Sequence, residues 1–426
     1  MDKKITTIIL SFIFLFSWTA AAFAAVDETP SGIPLSEIEY FIDDYMAQYI
    51  GKTSPGAAVV LVKDGKIIFS KGYGCADIEK GTMVDAAGTV FEYGSISKLF
   101  VHTTIMRLSE QGKIDLHADI RKYLPEGFLE KLNYDDPITM LHIMNHTAGF
   151  EDYLFDLLFT TPEDLPTLEQ SLRESQPMQV YKPGTVCAYS NYAVSLAAYI
   201  AQQITGQDFY EYVNDTIFLP LNMDNTSAHP TLEDKPELMD IKANGYMQKK
   251  GGFRPGGWSY VPLYPVGSVN GTAEDLARFA IALMPENGQE SPLFDKRATL
   301  DQMFSQSYAL GPQVTGFAHG FIEWDGEYRG VGHGGNTIAF SSQFNIVPEE
   351  RFGVIVLTNA AAENAICSGL TEALIGKRDK TVIMGGVNLP DVHEVEGLCQ
   401  CSKDVQRIFG ALWVPYPAQG QGTGAK

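Results

Sequence analysis

The sequence is poor in cysteine and in positive charge. Its five cysteines among 426 residues, Cys75, Cys187, Cys367, Cys399 and Cys401, are odd in number and widely spaced, which excludes a disulfide-stapled scaffold. The pair Cys399 and Cys401, with only His393 nearby, lacks the spacing of a zinc site, so the thiols read as structural. Lys and Arg total 31 against 52 Asp and Glu, a formal charge of −21, and this opposes attraction to nucleic-acid phosphates or anionic lipid. Charged residues are scattered and make up only 19% of the chain, so the imbalance reads as a soluble surface and not as an acidic tail. No Gly-x-Ser-x-Gly elbow occurs, which disfavours the α/β-hydrolase route to a serine esterase. His142 and His146 stand four apart, but Ile143 follows the first where a zinc protease has Glu, so no metal and no cofactor is expected. There is no internal repeat.

Hydrophobic residues at 45% and aromatics at 11% are the composition of a globular protein with a sizeable core. Residues 1–25 carry Lys3 and Lys4, an apolar run from Ile5 to Phe16, and Ala22-Phe23-Ala24, the three regions of a secretory signal peptide. The expectation is export, to a periplasm or the extracellular space. An uncleaved anchor is the competing reading, since Ile5 to Ala25 is just long enough to span a bilayer, and only then would the protein touch a membrane. Residues 26–376 read as one catalytic body. Residues 377–426 are short on apolar runs and linker-like at their end, a docking arm or a truncated remnant of an accessory domain.

Within the body, Ile38, Phe41, Ile42, Tyr45, Met46 and Tyr49 recur at helical spacing with Gly51 as the stop. The β-rich runs Ala57 to Lys63 and Lys66 to Tyr73 flank Asp64-Gly65, the pair that a type I′ hairpin needs. Helices are expected over Ser95 to about Gln111, Ser190 to Thr205, and Thr272 to Met284, the last with Thr272 and Asp275 as a variant capping box. Strand patterns return at Phe317 to Trp324, Glu327 to Gly332, Ile338 to Val347 and Phe352 to Thr358, and a helix closes the pattern near Glu363 to Ile375. This order predicts an α+β fold: an antiparallel sheet split in sequence, flanked by N- and C-terminal helices, with a mostly helical lobe inserted.

Three segments carry the chemistry: Ser95-Ile96-Ser97-Lys98, Tyr189-Ser190-Asn191 and His333-Gly334-Gly335. A serine at a helix start has its own N–H among the unpaired donors there, suited to an oxyanion. Lys98 lies three residues on, on the same helical face, and burial would turn its amine into a base for the Ser95 hydroxyl. Tyr189 is a second candidate base, because a phenol beside an ammonium ionises more easily. Asn191 offers an amide to hold a substrate carbonyl or Lys98. His333 sits between two strand-like runs, able to donate to a substrate acyl or carboxylate group, while Gly334 and Gly335 let a substrate backbone approach the sheet edge. The stretch Gly330-x-Gly332-x-x-Gly335 matches a dinucleotide fingerprint, but strand follows where a helix should, so nucleotide binding is rejected.

With these segments stand His146-Thr147-Ala148-Gly149, Pro220-Leu221-Asn222-Met223 and Gly332-His333-Gly334-Gly335-Asn336. Taken in order from about Ile33 to Ile375, the chain resembles the class C β-lactamases, the low-molecular-weight penicillin-binding proteins and the related esterases and D-aminopeptidases. The resemblance implies a β-lactamase/DD-peptidase-like fold and acylation of Ser95, with Lys98 and Tyr189 sharing base and acid duties. It further implies an oxyanion hole from the backbone N–H groups of Ser95 and Asn336, and a substrate oriented by Asn191. Class C β-lactamases carry Lys-Thr-Gly where this chain has His333-Gly334-Gly335, and a mostly neutral His is a weaker carboxylate anchor than Lys. The expected function is an exported serine hydrolase acting on D-amino-acid peptides or amides, cell-wall peptide among them, or on esters or β-lactams. A silent or acylation-only penicillin-binding-like protein is the alternative.

Overall fold

The computed structural model describes residues 27–152, 159, 161–286, 288–311 and 314–376. The expected signal segment and the tail after residue 376 lie outside the described residues, as do Cys399 and Cys401. No helix among the described residues is long and apolar enough to cross a membrane.

Eight strands form one antiparallel sheet: β1 (Gly56–Lys63), β2 (Lys66–Asp77), β3 (Thr82–Met83), β4 (Phe317–Ala318), β5 (Phe321–Asp325), β6 (Arg329–Asn336), β7 (Ser341–Val347) and β8 (Phe352–Thr358). Their spatial order is β3-β2-β1-β8-β7-β6-β5-β4. The N-terminal strands thus join the C-terminal meander through β1 and β8, paired from Ala57↔Thr358 to Lys63↔Phe352. Asp64 and Gly65 turn β1 into β2 with φ of 50° and 75°, as a type I′ hairpin requires.

β1 is apolar at every position from Ala57 to Val62, although an antiparallel strand with one wet face would alternate. The reason is a layer on each side. Ala58, Val60 and Val62 pack into the main core under the helical lobe, while Ala57, Val59 and Leu61 join Ile42, Met46, Leu370 and Leu374 in a second core. That second layer is α1 (Ile38–Ala47) together with the C-terminal helix (Cys367–Ile375). The lobe between residues 97 and 304 contributes α2 (Ser97–Glu110), α3 (Asn191–Thr205) and α4 (Ala273–Leu283).

Two expectations are revised. His333-Gly334-Gly335 does not lie between strands; it is inside β6, paired to β7 as His333↔Phe344, Gly334↔Gln343 and Gly335↔Ser342. The low strand propensity of glycine is overridden by the ladder around it. At α4, Thr272 Oγ1 accepts from the Asp275 N–H at 3.2 Å, but the shorter Asp carboxylate does not close a capping box. It accepts instead from Asn225 N and Thr226 Oγ1, both at 2.8 Å.

Asn359, fully buried, joins the halves of the sheet to the lobe. Its Oδ1 accepts from Gly56 N at 2.8 Å and its Nδ2 donates to the carbonyls of Cys75 and Asn244 at 3.0 Å. Asn359→Ala leaves several buried backbone groups without partners and should cost about 2–4 kcal/mol, read as a lower urea midpoint; a change under about 0.5 kcal/mol would contradict this role.

Candidate active site

The approach to Ser95 is fixed before the serine is reached. Phe91 and Glu92 pair with Gly271 and Asn270, and the Tyr93 N–H donates to Val269 O at 2.8 Å. Tyr93 is fully buried, its hydroxyl donating to Thr272 O at 2.7 Å, while its own carbonyl accepts from Ser342 Oγ on β7 at 2.8 Å. Gly94 then takes φ +54°, where a Cβ would stand 2.7 Å from the Asn336 nitrogen. A single 3-10 turn, Gly94–Ile96, carries Ser95 into α2.

The neighbouring strand meets this turn through a second glycine. A Cβ on Gly335 would come within 2.1 Å of Tyr93 O and 3.1 Å of Ser95 N. The backbone of β6 therefore runs directly against the backbone at Ser95, and the amides of Ser95 and Asn336 are brought to one place.

Lys98 is fully buried. Its Nζ is 2.8 Å from Ser95 Oγ and 2.9 Å from Val266 O. Tyr189, just before the Ser190 cap of α3, places its hydroxyl 3.0 Å from the same Ser95 Oγ. Lys98 Nζ stands 5.0 Å from the Tyr189 ring centre. Thus two of the sequence candidates, Lys98 of α2 and Tyr189 just before α3, converge on the hydroxyl oxygen of a third, Ser95.

Burial dominates the electrostatics. It pushes the Lys98 amine down to about 7, against a smaller upward pull from Asp152, so the neutral base is well populated near neutrality. Burial pushes the Tyr189 phenol up, opposed by its hydrogen bond to Ser95. The expectation that Lys98 eases Tyr189 ionisation is therefore overturned: a half-deprotonated buried lysine supplies too little charge to offset a desolvated phenolate, and Tyr189 stays a proton donor.

His333 is 1% exposed and lies on β6 with its ring 6.1 Å from that of Tyr189. Its Nδ1 meets the Gly334 carbonyl at 2.5 Å. Burial, then the neighbouring Lys98, push it down to about 3, so at neutral pH it brings no positive charge to a substrate carboxylate. The His146 ring packs tilted against that of Tyr189, centroids 4.4 Å apart, and its Nδ1 accepts from Ser190 N at 3.2 Å. His142 Nδ1 accepts from Thr139 N as part of a helix cap. The two histidines thus serve backbone positions, and among the described residues no group of three or more His, Cys, Asp or Glu could hold a metal.

Asn191 comes to the same end of α3, but its side chain is already engaged. Its Nδ2 donates to Asp152 Oδ2 at 2.7 Å, and its N–H to Asp152 Oδ1 at 3.1 Å. Asp152 and the Val266 carbonyl were not legible as site residues. Asp152 follows the His146–Gly149 segment by three positions, the one available hint. His102, buried on α2 one turn past Lys98, could have been found from its i, i+4 spacing on the nucleophile's face.

A family model described as Beta-lactamase matches residues 41–368. The chain is 25% identical over 317 residues to Protein flp of Staphylococcus aureus, a match that covers 72% of this chain and 60% of that protein. Its length thus spans well under two thirds of that relative. Among solved structures, the octameric penicillin-binding protein homologue from Pyrococcus abyssi superposes with a TM-score of 0.67 at 23% identity, covering 81% of this chain and 78% of that one. The β-lactamase/D-alanine carboxypeptidase from Pseudomonas syringae gives 0.64 at 20% identity, with 79% and 98% covered.

If Lys98 is the base, labelling of Ser95 by a fluorophosphonate, followed by intact mass, should rise with pH through a midpoint near 7. Lys98→Ala should slow it by about 10²–10⁴-fold. A profile flat between pH 5 and 9 would contradict the assignment.

Proposed function

The chain belongs to the β-lactamase family, and on that premise we propose that it is a serine acyl hydrolase working through a covalent acyl-Ser95 intermediate. The observation that carries the reading is the convergence of Lys98 Nζ at 2.8 Å and Tyr189 OH at 3.0 Å on Ser95 Oγ. Neutral Lys98 takes the Ser95 proton as Oγ bonds to the substrate carbonyl carbon. The carbonyl oxygen becomes negative and is held by the Ser95 and Asn336 N–H groups. Protonated Tyr189 gives its proton to the leaving nitrogen or oxygen as the acyl bond breaks, and recovers one from Lys98. Water then repeats the sequence on the acyl-enzyme and frees Ser95.

The rim of the sheet supports a reading of the substrate class. β5 pairs with β6 only as far as Gly332↔Ile322, and no described strand continues along His333 to Asn336 on that side. An extended acyl chain, such as a D-amino-acid peptide or amide, can align there by main-chain hydrogen bonds. The neutral His333 where class C β-lactamases have Lys favours substrates without a carboxylate at that point, esters and blocked peptides, over penicillins. We place its action outside the cytoplasm, on the charged, apolar and small-residue sequence of residues 1–25.

The test is the protein lacking residues 1–25, incubated with a p-nitrophenyl ester and a fluorescent penicillin beside Ser95→Ala. Adduct mass and product release should both occur, faster with the ester, and fall at least about 10³-fold in the variant. Adduct without release would turn the reading into an acylation-only protein, and activity surviving in Ser95→Ala would overturn it.

A further inference from the structure

Among the described residues, half-buried Asp152 is the acidic group whose charge reaches Lys98 and Tyr189. It accepts three hydrogen bonds at the start of α3: from Asn191 N at 3.1 Å, from Tyr192 N at 3.4 Å and from Asn191 Nδ2 at 2.7 Å. Ser190 Oγ caps the same end by accepting from Ala193 N at 3.1 Å. The first N–H groups of α3 are therefore satisfied by two acceptors, and the carboxylate sits where the helix dipole favours negative charge.

A cap alone needs no contact with a side chain. Here Oδ2 is given to the Asn191 carboxamide, and a carboxylate can only accept. It therefore fixes which end of the amide faces it: Nδ2 toward Asp152, Oδ1 away. Without that partner the amide could flip, since its two ends are nearly equal in shape.

We propose that Asp152 is a positioning residue of the acyl-transfer site, one that locks the orientation of the Asn191 carboxamide and, when ionised, adds negative charge to the surroundings of Lys98 and Tyr189. This rests on the serine-hydrolase reading above. Among the described residues, the groups around Lys98 are Ser95 and His102 on its own segment, Tyr189 before α3, His146, His333 on β6, and Asp152. The histidines, held low by burial, are neutral at pH 7, so Asp152 is the member of this set that draws the amine upward. It does the same to the Tyr189 phenol, keeping the proton that the leaving group receives.

The sign is then fixed. Removing the negative charge lowers the Lys98 midpoint, so the acid limb of Ser95 acylation moves to lower pH. Losing the amide lock lowers the plateau rate without moving the limb.

The experiment uses the protein lacking residues 1–25 as wild type, Asp152→Asn and Asn191→Ala. Two readouts run in parallel: the pH profile of fluorophosphonate labelling at Ser95, and the titration of the Lys98 Cε by NMR of ¹³Cε-lysine protein, assigned with Lys98→Ala. The NMR titration needs no turnover, so it tests Asp152 even if wild type labels nothing, an outcome that would count against the hydrolase reading alone. Asp152→Asn should move the Lys98 midpoint down by about half a pH unit or more. Asn191→Ala should leave it in place and reduce the plateau rate by about tenfold or more. An unmoved midpoint in Asp152→Asn would overturn the electrostatic role and leave a helix cap; an unchanged plateau in Asn191→Ala would overturn the lock. Should Asp152→Asn fail to fold, Asp152→Ser removes the charge, keeps an acceptor, and carries the same expectation.

Discussion

The site depends on one desolvation. Lys98 is fully buried, no ion pair to it is found among the described residues, and burial pushes its amine down to about 7. An unpaired lysine in a core works against stability. The surroundings give it two oxygens, the Ser95 hydroxyl and the Val266 carbonyl, enough to place the amine but not to hold its charge. Tyr189 shares the same enclosure with the opposite consequence, because burial favours the neutral form of each group: one becomes an available base and the other a retained acid.

The fold supplies the enclosure from two separate parts. The turn into α2, α2 itself and the residue before the cap of α3 bring Ser95, Lys98 and Tyr189 together, and β6 closes over them from the sheet. That closure is a contact between backbones, permitted at Gly94 and Gly335, where a Cβ on either would lie within 3 Å of the facing chain. Ser342 fastens the junction by donating to Tyr93 O. The sheet holds its shape because β1 and β8 carry apolar side chains on both faces, so neither layer can slide without exposing core.

Much of this was legible. The hairpin at Asp64-Gly65, the divided sheet and the inserted lobe followed from periodicity and turn chemistry, which act locally. The three segments with Ser95, Tyr189 and His333 announced residue types whose chemistry is specific, and the structure brings all three together. What could not be read depends on tertiary surroundings. His333-Gly334-Gly335 reads as a break between strands, because only the pairing with Phe344, Gln343 and Ser342 makes it a strand. Tyr189 reads as an acidified phenol, because the ordered segments imply a place beside Lys98 and the depth of burial is not written in them. Asp152 stands 39 residues from Asn191, and its place just after the His146–Gly149 segment does not reveal the partner it meets.

The central claim is that a neutral amine at position 98 activates Ser95, and it is tested most directly by changing that amine's basicity alone. Lys98→Cys, in a chain whose five native cysteines are replaced by serine or alanine, aminoethylated while unfolded and then refolded, carries a thioether analogue of lysine with a less basic nitrogen at the same reach. The account predicts that alkylation restores Ser95 acylation to the inactive cysteine variant, with an acid limb at lower pH than in the native protein. Restored activity with an unmoved limb, or equal rescue by ethylation, which supplies no amine, would contradict it.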